Sequence, residues 1–153
     1  MTVGDLRRAL VGVVFLLLVQ YLLGMAVNLF VTIPTEHPGA NPPEYFGGVV
    51  QSVTWAVLHG SFLLVLHAAF GLLLVVGSLA VVVRAWPLGG RNLRWATALG
   101  ALLVLAAGFN GGSFLNYNQD FSSMLMASFF ALAVACYVLA LYSLGERETT
   151  IAV

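Results

Sequence analysis

The chain has 153 residues, 61% of them hydrophobic and 8% charged, with a mean hydropathy of +0.99 and a formal net charge of zero. A water-soluble domain carries about 25% charged residues, so this composition excludes a protein solvated on all sides. The neutral balance offers nothing to a nucleic acid or an acidic soluble substrate, and the length suits one small domain.

Four stretches carry no charge at all: 9–35, 45–83, 95–119 and 121–145. Each exceeds the ~20 residues a helix needs to cross the hydrocarbon core of a bilayer. The expected fold is all-α, an integral membrane four-helix bundle forming a single domain over 1–153, with spans at about 8–33, 48–85, 92–112 and 120–145.

Span one follows Arg7 and Arg8. Its apolar run is far longer than the 7–15 residues of a signal-peptide core, so it reads as a permanent span. Gln20 and Asn28 are uncharged polar residues placed to bond across the bundle. The connection over 34–44 holds four of the five prolines and cannot be helical, because proline removes donors and biases its predecessor to extended geometry. As one helix, 48–85 would reach about 55 Å, well past the bilayer core. It must tilt, or its first turns stand in the outer interface, where Gln51, Ser52, Thr54 and Trp55 suit the water boundary.

A tight turn is expected over 86–91, from Trp86 through Pro87 and Gly89 to Arg91. Span three follows, and Asn110-Gly111-Gly112 should loosen or end it. A polar cap comes next, from Asn116 to Asp120, with Asp120, Ser122 and Ser123 as N-cap candidates for span four. Short connections favour antiparallel neighbours, hence an up-down-up-down bundle. Ala56, Gly60, His67, Gly71 and Ser78 on span two, and Ala96, Gly100, Ala107 and Gly108 on span three, mark faces for close helix approach.

The six basic residues are all arginine: Arg7, Arg8, Arg84, Arg91, Arg94 and Arg147. They fall before span one, between spans two and three, and after span four. The opposite connections hold Glu36, Glu44 and Asp120 instead. The positive-inside rule therefore places both termini in the cytoplasm. A lysine-free chain rich in Ala, Gly, Val, Leu and Arg suggests a GC-rich gene, hence a bacterial cytoplasmic membrane. Cys136 stands alone, which excludes an intramolecular disulfide and any CxxC pattern.

Chemistry rests on the histidines. His59 and His67 lie in the second apolar stretch, and ionisable groups inside a bilayer are functional candidates by default. On one straight helix they are ~12 Å and ~80° apart, too far to share a metal ion. Trp55, Phe62 and Phe70 near His59 suit a flat porphyrin, whose iron accepts an axial histidine. Met25 and Met124 are candidate haem partners for His59 or His67. Met126 joins the two histidines as a candidate metal ligand, since methionine with histidine also suits copper(I). The outer polar residues, His37, Asn110, Asn116 and Asp120 foremost, are placed to close over a small external site such as a quinol headgroup, a metal ion or a partner's loop. GxSxG, HExxH and Walker sequences are absent, as is any intramembrane carboxylate pair, so hydrolysis finds little support; Asp120 at the rim is the only carboxylate of a spanning region, which leaves proton-coupled transport a poor third reading.

Four spans with intramembrane histidines and a four-residue step from His67 to Gly71 resemble small bacterial b-type cytochromes of the cytochrome b561 sort. That resemblance implies haem b held between helices and electron transfer between a quinol and an acceptor. The family takes histidines from more than one helix, whereas both membrane histidines here lie on span two. The expected function is a small redox-associated membrane protein binding haem b, or copper as second choice, through His59 or His67. The alternative is a non-catalytic accessory subunit of a larger membrane complex, with lipid and a second copy of the chain as further partners.

Overall fold

The computed structural model describes residues 2–88 and 90–151, with residues 146–151 described by backbone alone. Gly89 in the expected turn and the Arg147 side chain lie outside the described residues. Five helices follow in order: α1 Val3–Phe30, α2 Tyr45–His59, α3 Phe62–Leu88, α4 Arg91–Tyr117 and α5 Asp120–Ile151. The described residues contain no strand. Four helices, all but α2, are long and apolar enough to cross a membrane.

Each long helix contributes a seam with the same spacing. Buried positions are Leu6, Leu10, Val13 and Leu17 on α1, and Leu74, Ser78, Val81 and Ala85 on α3. On α4 they include Leu93, Thr97, Gly100 and Val104, and on α5 Ala133, Tyr137, Ala140 and Leu144. Alternating steps of four and three residues average 3.5, the repeat that keeps one stripe facing its neighbours along a helical bundle. These stripes form one core cluster, with α1 packed on α3 and α5, and α4 on α3 and α5. Outward-facing positions are apolar too, including Phe15 at 63%, Leu22 at 66% and Val76 at 64% exposure. An apolar exterior around an apolar core fits a lipid solvent.

Local signals explain the helix ends. Thr2 and Asp5 form a reciprocal capping box at the start of α1, the Thr2 hydroxyl accepting from the Asp5 N–H at 3.2 Å and the Thr2 N–H donating to the Asp5 carboxylate at 2.9 Å. Glu44 caps α2, accepting from the N–H groups of Phe46 and Gly47 at 2.8 and 2.6 Å. Asn118, left-handed at φ 48°, ends α4 by donating its N–H to the Phe114 carbonyl at 2.7 Å. Asp120 is the first residue of α5, and Ser122 donates its N–H back to the Gln119 carbonyl at 2.9 Å.

Three elements differ from expectation. The turn expected over 86–91 is shorter, because α3 runs on through Pro87 to Leu88 and α4 begins at Arg91. The stretch 48–85 is not one helix: the chain leaves helical geometry at Gly60 and Ser61, dividing it into α2 and α3. A side chain at 60 would run into the Ala56 carbonyl, so this extended corner requires glycine. The Asn110-Gly111-Gly112 step does not end α4, which continues to Tyr117. There the Asn110 amide donates to the Ala106 carbonyl of its own helix at 2.8 Å, and Gly112 admits the Val49 side chain of α2. Tertiary packing overrides the weak helix propensity of two glycines.

Candidate functional site

Two polar constellations stand out. The first caps the bundle end opposite the Arg84–Arg94 turn. An α-helix leaves its last four carbonyls without helical partners, and at the end of α4 the proline-rich loop meets two of them. The Leu115 carbonyl lies 3.2 Å from His37 Nε2, and the Asn116 carbonyl accepts the Asn41 N–H at 2.8 Å. The Phe114 carbonyl takes the Asn118 N–H, as described above. The segment 37–41 is thus part of the C-terminal cap of α4.

His37 is held on three sides. Its ring stacks on Trp55 of α2 at 4.3 Å and 15°, its Nε2 faces Leu115, and its Nδ1 lies 3.0 Å from the Pro38 carbonyl. Beneath it the Asn116 side chain is 2% exposed. One atom of that amide has four oxygens around it: Ser52 Oγ at 2.6 Å, the Gly39 and Gly48 carbonyls at 3.1 Å, and the Gly112 carbonyl at 3.2 Å. Only an NH2 group satisfies such surroundings, and the amide oxygen then accepts from the Val49 N–H at 3.2 Å. Gly39, at φ +90°, sits where a Cβ would fall 2.6 Å from the Gly48 carbonyl. Val27, Val31, Ile33, Val53 and Ala68 fill the apolar space around Ala56, Leu64 and Leu115 below this lid.

The second constellation lies in the seam between α1 and α3. Gln20 crosses it, its Nε2 donating to the His67 carbonyl at 3.0 Å. Glycines face both polar side chains: a Cβ on Gly24 would lie 3.1 Å from His67 Cε1, and one on Gly71 would lie 3.2 Å from Gln20 Nε2. The half-buried His67 ring therefore rests against the α1 backbone. His67 Nδ1 and Gln20 Oε1 are both buried without a hydrogen-bond partner, an arrangement that calls for a physical reason.

The remaining candidates are dispersed. His59 is the last residue of α2 and exposed, on a different helix from His67, so the straight-helix separation drawn from the sequence does not apply. Met25 is 42% exposed on α1, beside Gly24, and Met124 is 56% exposed on α5. Met126 packs half-buried, its Sδ 3.2 Å from the Cβ position of Gly111. Of the polar rim residues, His37 meets the carbonyl of Leu115, the residue before Asn116, while Asn110 turns back on its own helix and Asp120 is exposed at the start of α5. No group of three His, Cys, Asp or Glu side chains able to hold a metal ion occurs among the described residues. Reading the sequence alone missed the Gln20–His67 pairing as a unit and the docking of the loop through Ser52, Gly39 and Asn116. The early signal for the first was Gly24, one helical turn beyond Gln20.

No protein-family model, curated protein or solved structure matches the chain.

Proposed function

We propose that this chain is a four-span, up-down-up-down protein of a bacterial cytoplasmic membrane, with both termini in the cytoplasm, and that His67 binds a redox cofactor within it. The arginine asymmetry supports the orientation. The observation that carries the functional reading is His67 itself, a membrane-depth imidazole with a buried nitrogen that no protein group engages. The residues present would offer a haem b one histidine ligand, His67; Met25, the residue after Gly24, is turned about 100° around α1 and is 42% exposed. They do not fit a bis-histidine haem, since His59 and His37 sit elsewhere in the fold. When bound, such a haem would supply one-electron transfer, with a quinol as the natural donor class. His67 would hold it, and Gln20 would fix the backbone that carries His67. Copper(I) is the second cofactor choice.

A second reading, an accessory subunit of a larger membrane complex, is favoured by the outer lid. Ser52 and Asn116 are engaged with each other, and His37 with backbone carbonyls and the Trp55 ring, which makes a fixed surface rather than a reactive one. The absorption spectrum of the purified protein, with metal analysis on the same sample, separates the two. A Soret band that is lost in folded His67→Ala and kept in His59→Ala is the expected result. A colourless folded protein that takes up neither added haemin nor copper would leave the accessory role standing.

A further inference from the structure

At the arginine-rich end, α4 and α5 leave an apolar groove of about 580 Å³ between them. Trp95, Leu99 and Leu102 line one wall, and Cys136, Leu139 and Tyr142 the other. From Asn92 to Leu102 the groove runs ~15 Å at 1.5 Å per residue, which is one leaflet of a ~30 Å hydrocarbon core. Arg91 is exposed and stands one helical turn ahead of Trp95, on the same stripe of α4. Arg84 and Arg94 are exposed nearby in the chain, the Arg94 guanidinium lying over the Trp86 ring at 5.7 Å from its centroid. The sequence at this end of the bundle carries all six arginines against Asp5, Glu146 and Glu148, so positive charge stays in excess there. A groove one acyl chain long, headed by cations at headgroup depth, matches an anionic lipid in both length and sign.

We propose that this groove holds an acyl chain of an anionic phospholipid, with the lipid phosphate drawn to Arg91. The assignment rests on the four-span reading and is independent of any cofactor at His67. The full-length protein in mild detergent, mixed with equal amounts of palmitoyl-oleoyl phosphatidylglycerol and phosphatidylcholine, is read by native mass spectrometry. Wild type retains phosphatidylglycerol in preference by about fivefold or more, the effect of one arginine at a lipid surface. Arg91→Gln lowers that preference by about fivefold, while Arg91→Lys keeps most of it. Leu99→Trp fills the groove and lowers retention of both lipids, and Leu139→Phe replaces it if that variant does not fold. Equal retention of the two lipids by wild type, an unchanged preference in Arg91→Gln, or full retention in the groove-filled variant each overturns the proposal. Release of the protein from membranes by alkaline carbonate would instead overturn the four-span reading.

Discussion

The Asn116 amide of α4 and the Ser52 hydroxyl of α2 meet at 2.6 Å, both buried, at the point where the proline-rich loop, α2 and α4 converge. Because the same NH2 group also faces the Gly39, Gly48 and Gly112 carbonyls, one side chain ties three segments together. Asn116→Ala is expected to cost about 2–3 kcal/mol, the penalty of leaving buried acceptors unmatched. Asn116→Asp should cost more, since it sets a carboxylate among four oxygens. Thermal unfolding in detergent measures both, and protease cleavage within 34–44 reports loosening of the lid. Unchanged stability in Asn116→Asp would contradict this amide orientation.

Gly39 places the loop over α2 with φ +90°, and any side chain there meets the Ser52 hydroxyl and the Gly48 carbonyl. Gly39→Ala combines backbone strain with a steric conflict, for an expected loss of about 1–3 kcal/mol. Replacing the exposed Glu36, the residue just before the His37 anchor, by Ala should fall within about 0.5 kcal/mol of wild type. Comparison of the two midpoints tests whether the positive φ at 39, rather than the loop in general, holds the lid.

The α1/α3 seam makes a prediction of position. Gly24 faces the His67 ring, whereas Gly12 on the same helix has open space where a Cβ would stand. Gly24→Leu should drive α1 from α3 and lower the unfolding midpoint in detergent. Gly12→Leu should leave it unchanged or raise it slightly through better helix propensity, about 1 kcal/mol at most. Equal effects at the two glycines would show that His67 does not set the approach of the helices.

Gly100 and Gly108 on α4 should respond with opposite signs. A Cβ at 100 lies 3.0–3.3 Å from three atoms of the Tyr137 ring, and one at 108 meets nothing within 4 Å. Gly100→Ala is expected to destabilise by about 1–2 kcal/mol through overpacking, and Gly108→Ala to stabilise by about 0.5–1 kcal/mol. The order of their unfolding midpoints around wild type is the measurement.

The four apolar helices were legible in the sequence because charge-free length is a property of composition, which needs no knowledge of neighbours. Gln20 could be read as a side chain that bonds across the bundle for a similar reason: a polar amide amid apolar residues must find a partner in the protein. Its partner could not be read. The polar outer residues looked alike as a string, yet Asn110 folds back on Ala106, Asn118 adopts a left-handed cap, and Asn116 becomes the buried centre of the lid. Each outcome depends on which carbonyls come within 3.2 Å, and distance in space is not written in sequence order.

The chain by itself determined that four segments suit a lipid environment, and which connections carry the arginines, since transfer energies act residue by residue. Only the tertiary structure decided that the long second stretch breaks at Gly60, that α4 persists through Gly111-Gly112, and that His59 parts from His67. It also decided which carbonyls at the end of α4 the loop would satisfy. These outcomes turn on close approach and hydrogen-bond matching between distant segments, where fractions of an ångström decide whether a glycine, an amide or a ring fits.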